Sequence, residues 1–166
     1  MRTKTFVRIL PLFAVILILS QIAQATTKPC TVSPSEKAQI VQTIQTMFDA
    51  ATKDDLALFH KVAAPDFYGF DNGHEYPHDA IMNLIKQLHS KGMVFVWTVN
   101  EPRVQIACNS NPKVAWITYI NRGSVTDSSG TTKLQWLESA VLQKESGQWR
   151  IRFFHSTRVP PAEPQK

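Results

Sequence analysis

Three side chains in the last third of the chain have the types and spacing needed to move protons. Glu138 and His155 lie in two strand-like stretches on either side of a Ser146-Gly147 turn. Counting residues away from a two-residue turn pairs these stretches and predicts that Glu138 lies opposite His155. A four-residue loop over 127–130 brings Tyr119 opposite Glu138 in the same way. Because a carboxylate, an imidazole and a phenol in one row can orient one another and exchange protons, the spacing predicts an acid/base site.

The neighbours of this row are mostly apolar, which indicates a pocket for a small apolar ligand. Burial there would raise the pKa of Glu138, whereas attraction to His155 would favour the charged forms of both groups. The alternative is that the two side chains only satisfy each other's hydrogen bonds within a core. The residues that we predict to contact a ligand are Trp136, Phe153, Trp97 and Asn121.

A zinc-protease pattern, H-E-x-x-H, occurs at His74-Glu75-Tyr76-Pro77-His78. Zinc binding by this pattern requires both histidines on one face of a continuous helix. Pro77 disfavours helical geometry at the residue before it, and Asn72-Gly73 is a turn signal immediately upstream. We therefore predict no metal site, and the sequence patterns indicate no cofactor.

The first residues have the pattern of a secretory signal peptide. Three basic residues precede an apolar run over 9–19, and Ala23-Gln24-Ala25 supplies a small-x-small cleavage site. The run is shorter than the roughly 20 residues that a transmembrane helix needs, so we predict no stable membrane anchor and a periplasmic or secreted protein. The predicted organisation is a signal peptide over 1–25, an N-terminal arm over 26–32, one domain over 33–159 and a flexible tail over 160–166.

The charge balance after removal of this peptide argues against a nucleic-acid partner. The full chain carries 18 basic and 13 acidic residues, for a formal net charge of +5. Residues 1–25 hold three of the basic residues and none of the acidic ones, which leaves about +2 for the rest. This small charge, without a basic cluster interleaved with aromatic residues, lacks the electrostatic signature of DNA or RNA binding.

Two cysteines, Cys30 and Cys108, remain in the predicted mature chain. Because exported proteins fold in an oxidising compartment, we predict that these cysteines form a disulfide. The bridge would attach the N-terminal arm to the turn at 109–112 and stabilise the fold by about 4 kcal/mol in the chain-entropy account. A reactive free thiol is the alternative, although no motif indicates one.

Helical periodicity in the first half of the chain and strand periodicity in the second half predict an α+β fold. A first helix begins at N-cap Ser33, with a capping box to Glu36. A second helix ends before Pro65, and a third begins at Pro77 after a short hairpin turned by Asp71-Asn72-Gly73. Strand-like stretches then follow at Met93–Asn100, Val104–Cys108, Lys113–Thr126, Thr131–Lys144 and Gln148–Ser156.

The predicted sheet has a second face, opposite to Glu138, that is too apolar for free solvent. We predict that a second copy of the chain covers this face, which makes the protein a homodimer through its sheet. The alternative is an ordinary surface with scattered hydrophobic residues. The residues of this face are Trp116, Ile120, Leu137, Val141 and Phe154, together with Arg122, Arg150 and Arg152.

The order of these elements resembles the nuclear-transport-factor-2-like superfamily over 33–159. The stretches Trp136–Leu142, Ser146–Ile151 and His155-Ser156 are similar to its SnoaL-like and ketosteroid-isomerase-like branch. The resemblance implies a cone-shaped barrel formed by a curved antiparallel sheet, with three N-terminal helices packed on its concave face. It also implies a small-molecule pocket between helices and sheet, and frequent dimerisation through sheets.

The resemblance places Asp71 at the position of the isomerase's general base, just after the second helix. The alternative role of Asp71 is to cap the turn that it begins. The isomerase's tyrosine on the first helix has no counterpart, since Gln45-Thr46-Met47 occupies that region. Two functions therefore stay open. One is an isomerase or cyclase/hydratase that uses Asp71 or Glu138 with His155 as base and Tyr119 as hydrogen-bond donor, without a metal. The other is a non-catalytic ligand-binding or assembly module.

Overall fold

The computed structural model of the protein describes residues 32–107 and 110–160. The predicted signal peptide, most of the N-terminal arm, both cysteines and all but the first residue of the predicted tail lie outside the described residues. In the described ranges, none of the helices has the length and apolar character needed to cross a membrane. The helices are α1 (Pro34–Thr52), α2 (Leu56–Val62) and α3 (Ala80–Ser90). The strands are β1 (Ala63–Asp71), β2 (His74–Pro77), β3 (Val94–Val96), β4 (Val99–Ala107), β5 (Val114–Asp127), β6 (Gly130–Glu145) and β7 (Gln148–Val159).

The helices begin where side chains can satisfy free backbone N–H groups. At the start of α1, the Ser33 hydroxyl accepts a hydrogen bond from the Glu36 N–H at 3.1 Å, as the sequence predicted. The Asp55 carboxylate caps α2 in the same way, at 2.9 Å from the Leu58 N–H. The predicted start of α3 at Pro77 is wrong, because Pro77 pairs with Tyr68 as the last residue of β2.

The strands form one open, curved sheet in the order β2-β1-β7-β6-β5-β3, with β4 also paired to β5. The predicted α+β cone with three helices is confirmed. The sheet is mixed rather than wholly antiparallel, since β1 lies parallel to β7 while the other pairs are antiparallel. A parallel pair needs a long connection, and here α3 and five strands separate the two partners along the chain.

The single strand predicted over Met93–Asn100 is divided into β3 and the start of β4. The strand β4 pairs with β5 from Val114 to Asn121, and β3 pairs with β5 beyond that point, from Ser124 onward. Gly123 lies at the crossing. A Cβ atom on Gly123 would lie 1.9 Å from the Val96 carbonyl oxygen, so a residue with a side chain cannot fit without a backbone shift. Glycine at this position therefore allows the backbones of β3 and β5 to approach closely.

The hydrophobic core lies between the helices and the concave face of the sheet. Along β6, the inward side chains Leu142 and Ala140 are at most 1 % exposed, whereas Trp136 is 8 % exposed. Further along the same face, Leu134 is half-buried and Thr132 is exposed. The cone therefore opens toward the hairpin that joins β5 to β6.

The pairing of β6 with β7 agrees with the predicted register only next to its turn. Lys144 pairs with Trp149, and Leu142 pairs with Ile151, as predicted. The next residue of β6, Val141, pairs with Phe153, so Arg152 is an extra residue in β7 and forms a β-bulge.

Beyond this bulge the predicted register is wrong by one residue. Glu138 pairs with Ser156 instead of His155, and Ala140 pairs with Phe154 instead of Phe153. Because successive side chains of a strand point to opposite faces, the bulge turns Phe154 into the core and His155 outward. Phe154 was predicted on the outer face and Phe153 on the inner face, and both predictions are wrong.

The bulged residue Arg152 contacts two other parts of the chain. The Arg152 guanidinium pairs with Asp66 of β1, and it donates a hydrogen bond to Glu145 at 2.5 Å. These partners lie outside the β6–β7 pair or at its turn. A pattern read along β6 and β7 alone could not reveal them.

Candidate functional site

A row of polar side chains crosses four strands on the concave face. Tyr119 of β5 pairs with Glu138 of β6, which pairs with Ser156 of β7, which pairs with Asp71 of β1. The predicted neighbours Tyr119 and Glu138 are confirmed. The third member is a serine rather than the predicted His155, and the row extends to Asp71 on a fourth strand.

Glu138 lies at the centre of this row and is 6 % exposed. The Ser156 hydroxyl donates a hydrogen bond to its Oε1 at 3.0 Å, and the Asn121 amide donates to both carboxylate oxygens at 3.2 and 3.3 Å. The Asn121 side-chain oxygen accepts from the Thr98 N–H at 3.0 Å, which turns the NH₂ group toward Glu138. The Tyr119 hydroxyl is buried beside Glu138 but makes no hydrogen bond of normal geometry among the described residues.

Burial raises the pKa of Glu138 from 4.5 to about 7. The hydroxyls of Tyr119 and Ser156 and the amide of Asn121 act against this rise, and the charge of Asp71 adds to it. At neutral pH the Glu138 carboxyl is therefore present in both its protonated and its ionised form. Burial, with a smaller contribution from the Glu138 charge, also raises the pKa of Tyr119, so that its phenol stays neutral.

Asp71 brings a second carboxyl to the same place. It is the last residue of β1, and its Oδ2 accepts a hydrogen bond from the Asn72 amide at 3.1 Å. Its Oδ1 is buried and has no hydrogen-bond partner among the described residues. Burial raises the pKa of Asp71, while contacts with Ser156 and Asn72 oppose the rise. Two carboxyls with raised pKa values thus share the Ser156 hydroxyl as a neighbour.

Both carboxyls line a cavity of about 440 Å³ between α1, α3 and the concave face of the sheet. One wall is a stack of aromatic rings, in which Trp97 lies 5.7 Å from Phe48 and 5.2 Å from Phe95, measured between ring centroids. The α3 helix provides the facing wall with the apolar residues Ile81, Met82, Leu84, Ile85 and Leu88. The polar lining consists of Asp71, Asn72, Glu138, Ser156, Asp127, Thr132 and Arg158 together with Tyr76.

The predicted ligand-contact residues divide into two groups. Trp136 and Trp97 line the cavity, as predicted. Asn121 is fully buried behind Glu138 and supports its carboxylate without lining the cavity. Phe153 was predicted to contact a ligand but faces the outer side of the sheet, where its ring lies 5.1 Å from that of Tyr68.

His155 was predicted to share a proton with Glu138, and the structure contradicts this pairing. The imidazole is exposed on the outer face of the sheet, and His155 pairs across the strands with Ser139 of β6. Its Nε2 lies 3.3 Å from the Thr157 hydroxyl, and its ring lies 6.5 Å from that of Phe70. It cannot take part in chemistry inside the cavity.

The residues that the sequence did not reveal are Ser156 and Arg158, which line the cavity beyond the bulge. The Phe153-Phe154 pair explains why they were missed. Either ring can face the core, so this stretch tolerates a register shift without loss of apolar burial. The alternation alone therefore could not decide between the two registers.

The zinc-protease pattern lies on a strand rather than a helix. His74–Pro77 forms β2, and His78 follows with a left-handed φ of 45°, so the two histidines of the pattern share no helix face. Within 32–107 and 110–160, no three His, Cys, Asp or Glu residues lie close enough together to hold a metal ion.

The sequence matches the family model of the SnoaL-like domain over residues 40–161, which is most of the chain. The chain belongs to the SnoaL-like domain family. No curated protein matches its sequence.

Solved structures with the same fold include proteins of several kinds. The SnoaL-like chain is similar to Aln2 from a Streptomyces species, with 16% identity, a TM-score of 0.65 and coverage of 78% of this chain and 94% of that one. A putative ketosteroid isomerase from Shewanella frigidimarina has 16% identity and a TM-score of 0.56, and the match covers 70% of this chain and 92% of that one. The association domain of C. elegans CaMKII has 20% identity and a TM-score of 0.60, and the match covers 74% of this chain and 95% of that one. At these identities the similarity shows the fold alone.

Proposed function

We propose that the protein binds a small apolar substrate and carries out acid/base chemistry on it, as an isomerase or a cyclase/hydratase that needs no metal. The observation that carries the proposal is the position of Asp71 and Glu138. Both carboxyls border one apolar cavity, and the Ser156 hydroxyl lies between them. Paired carboxyls with raised pKa values can supply a base and an acid to one substrate.

Asp71 is the proposed base, and Glu138 is the proposed acid. The Asp71 Oδ1 has no partner among the described residues, so it is free to accept a proton from a substrate. The pKa of Glu138, about 7, keeps a protonated fraction that can donate to a developing oxyanion. Tyr119 lies behind Glu138 and outside the cavity lining, so its proposed role is to position that carboxyl rather than to contact the substrate.

The test is exchange of carbon-bound protons in a panel of small apolar ketones, followed by NMR in D₂O. Removal of a proton next to a carbonyl is the step that isomerisation and many cyclisations share, so the assay does not require the natural substrate. We expect the wild type to accelerate exchange for the ketones that bind. Asp71→Asn is expected to lower the rate by about 100-fold or more, because general-base catalysis typically contributes that much.

The control is Glu101→Gln, which removes an exposed carboxylate that pairs with Arg122 and does not line the cavity. Ketone binding is measured in the same samples from quenching of tryptophan fluorescence, since Trp97 and Trp136 line the cavity. Ketones that bind without faster exchange, or equal exchange in wild type and Asp71→Asn, would contradict the catalytic proposal.

A non-catalytic binding or assembly module is the second candidate function. It is supported by the similarity to the association domain of C. elegans CaMKII and by the outer sheet face. Trp116 is 41 % exposed on that face, and it pairs with Val141, which pairs with Phe153, which pairs with Tyr68. This apolar row spans four strands and supports the proposal that a homodimer forms through the sheet.

Sedimentation velocity tests the proposed dimer. Trp116→Lys is expected to convert a dimer to a monomer, because it puts a charge into the apolar row. The control is Val94→Lys, which places the same charge on an exposed residue of β3, outside the row. A wild type that remains monomeric at high concentration would contradict the proposal.

We also propose that the protein is exported and carries one disulfide. The basic, apolar and small-residue segments over 1–25 support export, and the two cysteines of the remaining chain support the bridge. Mass spectrometry of protein from its native compartment is expected to show a mature N-terminus at Thr26 and a peptide that links Cys30 to Cys108 before reduction. An intact N-terminus would contradict export, and free thiols would contradict the disulfide.

A further inference from the structure

Arg158 lies on the cavity side of β7, two residues beyond Ser156. It pairs with Trp136 of β6, and both residues line the cavity. Ser156 is 5 % exposed, whereas Arg158 is exposed, so Arg158 is at the open end of the cone. A cation is therefore placed at the mouth of a cavity whose deeper end carries two carboxyls.

Within the described ranges, the Arg158 guanidinium has no partner that would tie its charge to the fold. It makes no hydrogen bond or ion pair there, whereas the guanidinium groups of three other arginines of the sheet do. Arg122 pairs with Glu101 at 2.6 Å, and Arg152 is bound by two carboxylates. Arg150 donates to the carbonyl oxygens of His60 and Ala63. Arg158 is thus available to a ligand.

The acidic residues of the cavity do not occupy Arg158 either. Asp127, at the mouth, accepts hydrogen bonds from the Ser129 N–H at 2.8 Å and the Ser129 hydroxyl at 2.6 Å. Glu138 is bound by Ser156 and Asn121, one row deeper in the cavity. Neither carboxylate lies within ion-pair distance of the Arg158 guanidinium.

The spacing of the two rows sets the length of a suitable ligand. Two residues along a strand correspond to about 7 Å, which separates the backbone of Arg158 from that of Ser156. Trp136 forms an apolar wall beside this path. A ligand with its reactive group at Asp71 and Glu138 would therefore place its other end at Arg158.

The charges also set the direction in which a ligand enters. An anionic group at the deep end would meet two carboxyls and lose its hydration, both of which are unfavourable. At the mouth the same group would stay partly hydrated and could accept two parallel hydrogen bonds from a guanidinium. We propose that Arg158 binds the anionic end of an amphiphilic substrate, a carbonyl compound with an apolar body and a terminal carboxylate. This proposal rests on the proposed function for the orientation of the reactive group.

The test compares straight-chain keto acids of increasing length with their uncharged primary amides. Binding to the full protein is measured by calorimetry, and each acid and amide pair differs only in the charge of the terminal group. We expect the wild type to prefer the acids by about tenfold, the size of one partly exposed charge-assisted pair. The preference should be largest at one chain length and should fall as salt is added.

Three arginine variants separate Arg158 from the general charge of the protein. Arg158→Gln is expected to remove the preference for acids over amides, whereas Arg158→Lys is expected to keep part of it. The control Arg122→Gln removes a charge from the outer face and should keep the full preference. No keto acid bound by the wild type, or an equal preference in Arg158→Gln, would overturn the proposal.

The outcome can be separated from that of the proposed function. A preference for acids that depends on Arg158, in a protein that does not exchange ketone protons, supports the anion site and contradicts catalysis. Exchange that depends on Asp71, without any acid preference, supports catalysis and overturns the anion site.

Discussion

Glu138→Gln is expected to make the folded protein more stable above neutral pH, because it removes a charge that the fold does not favour. The side chain is 6 % exposed, and burial raises its pKa from 4.5 to about 7. In the unfolded chain the carboxyl releases its proton near its ordinary pKa. In the folded protein it keeps that proton until the pH approaches 7.

The sign and size of the effect follow from these two values. A pKa that is raised in the folded state stabilises the fold fully below pH 4.5, and this contribution is lost as the pH rises through about 7. At about 1.4 kcal/mol per pH unit, the loss amounts to about 3 kcal/mol. Glutamine has the same shape and no charge, and its amide oxygen can still accept hydrogen bonds from Asn121 and Ser156. The variant should therefore avoid this loss.

Urea denaturation of both proteins at about pH 5 and about pH 8 measures the effect. The wild type is expected to lose stability between the two conditions, and Glu138→Gln is expected to lose about 2.5 kcal/mol less. The control is Glu101→Gln on the outer surface, where the carboxylate is exposed and pairs with Arg122. Equal pH dependence in wild type and Glu138→Gln would refute the reasoning, because the carboxyl would then be as well solvated in the fold as in the unfolded chain.

Three further predictions concern the backbone and the row around Glu138. Gly123→Ala should lower the free energy of unfolding by about 1–3 kcal/mol, because its Cβ would collide with the Val96 carbonyl oxygen, and thermal unfolding measures this loss. Ser156→Ala should raise the pKa of Glu138 further, since it removes a hydrogen bond to the ionised form, and an NMR titration of the carboxyl carbon would show the shift. Deletion of Arg152 should remove the bulge and turn the His155 imidazole from the outer face toward the cavity. An NMR titration of this imidazole, with and without Glu138→Gln, would then show that the two groups are coupled.

Each of these variants has a matched control. Ser124→Ala changes the residue next to Gly123 without adding a new atom, and it should leave stability nearly unchanged. Ser139→Ala removes a hydroxyl from the outer face of β6 and should not affect Glu138. Arg152→Ala keeps the number of residues in β7 and should keep the present register, whereas the deletion should change it. Each prediction would be contradicted by equal behaviour of the variant and its control: equal stability, an equal pKa of Glu138, or an unchanged register after the deletion.

The helices and most of the sheet could be predicted from the sequence, because their signals are local. Ser33 caps α1 through a hydrogen bond to a residue three positions away, and the turn at Ser146-Gly147 sets the register of the first pairs beside it. The division of one predicted strand into β3 and β4 was missed. Near this division Gly123 of β5 lies against the Val96 carbonyl of β3, and a contact between two separate strands leaves no local signal in the sequence.

The candidate site was predicted only in part, because its composition depends on whether β7 has an even or an odd number of residues between the turn and the cavity. Glu138 and Tyr119 were placed correctly, since β5 and β6 have no bulge between them. Arg152 adds one residue to β7, and this single residue replaces an imidazole with the Ser156 hydroxyl beside Glu138. The guanidinium of the extra residue pairs with the carboxylates of Asp66 and Glu145, and no alternation pattern can reveal these contacts.

The bulge also decides which chemistry the cavity can support. An imidazole beside Glu138 would be a positive partner that favours the ionised carboxylate and lowers its pKa. The Ser156 hydroxyl offers only one hydrogen bond, so burial and the nearby Asp71 raise the pKa of Glu138 instead. A cavity that holds a partly protonated carboxyl next to a second carboxyl can both donate and accept a proton. The extra residue in β7 therefore converts a pair of opposite charges into the two-carboxyl site from which the proposed function follows.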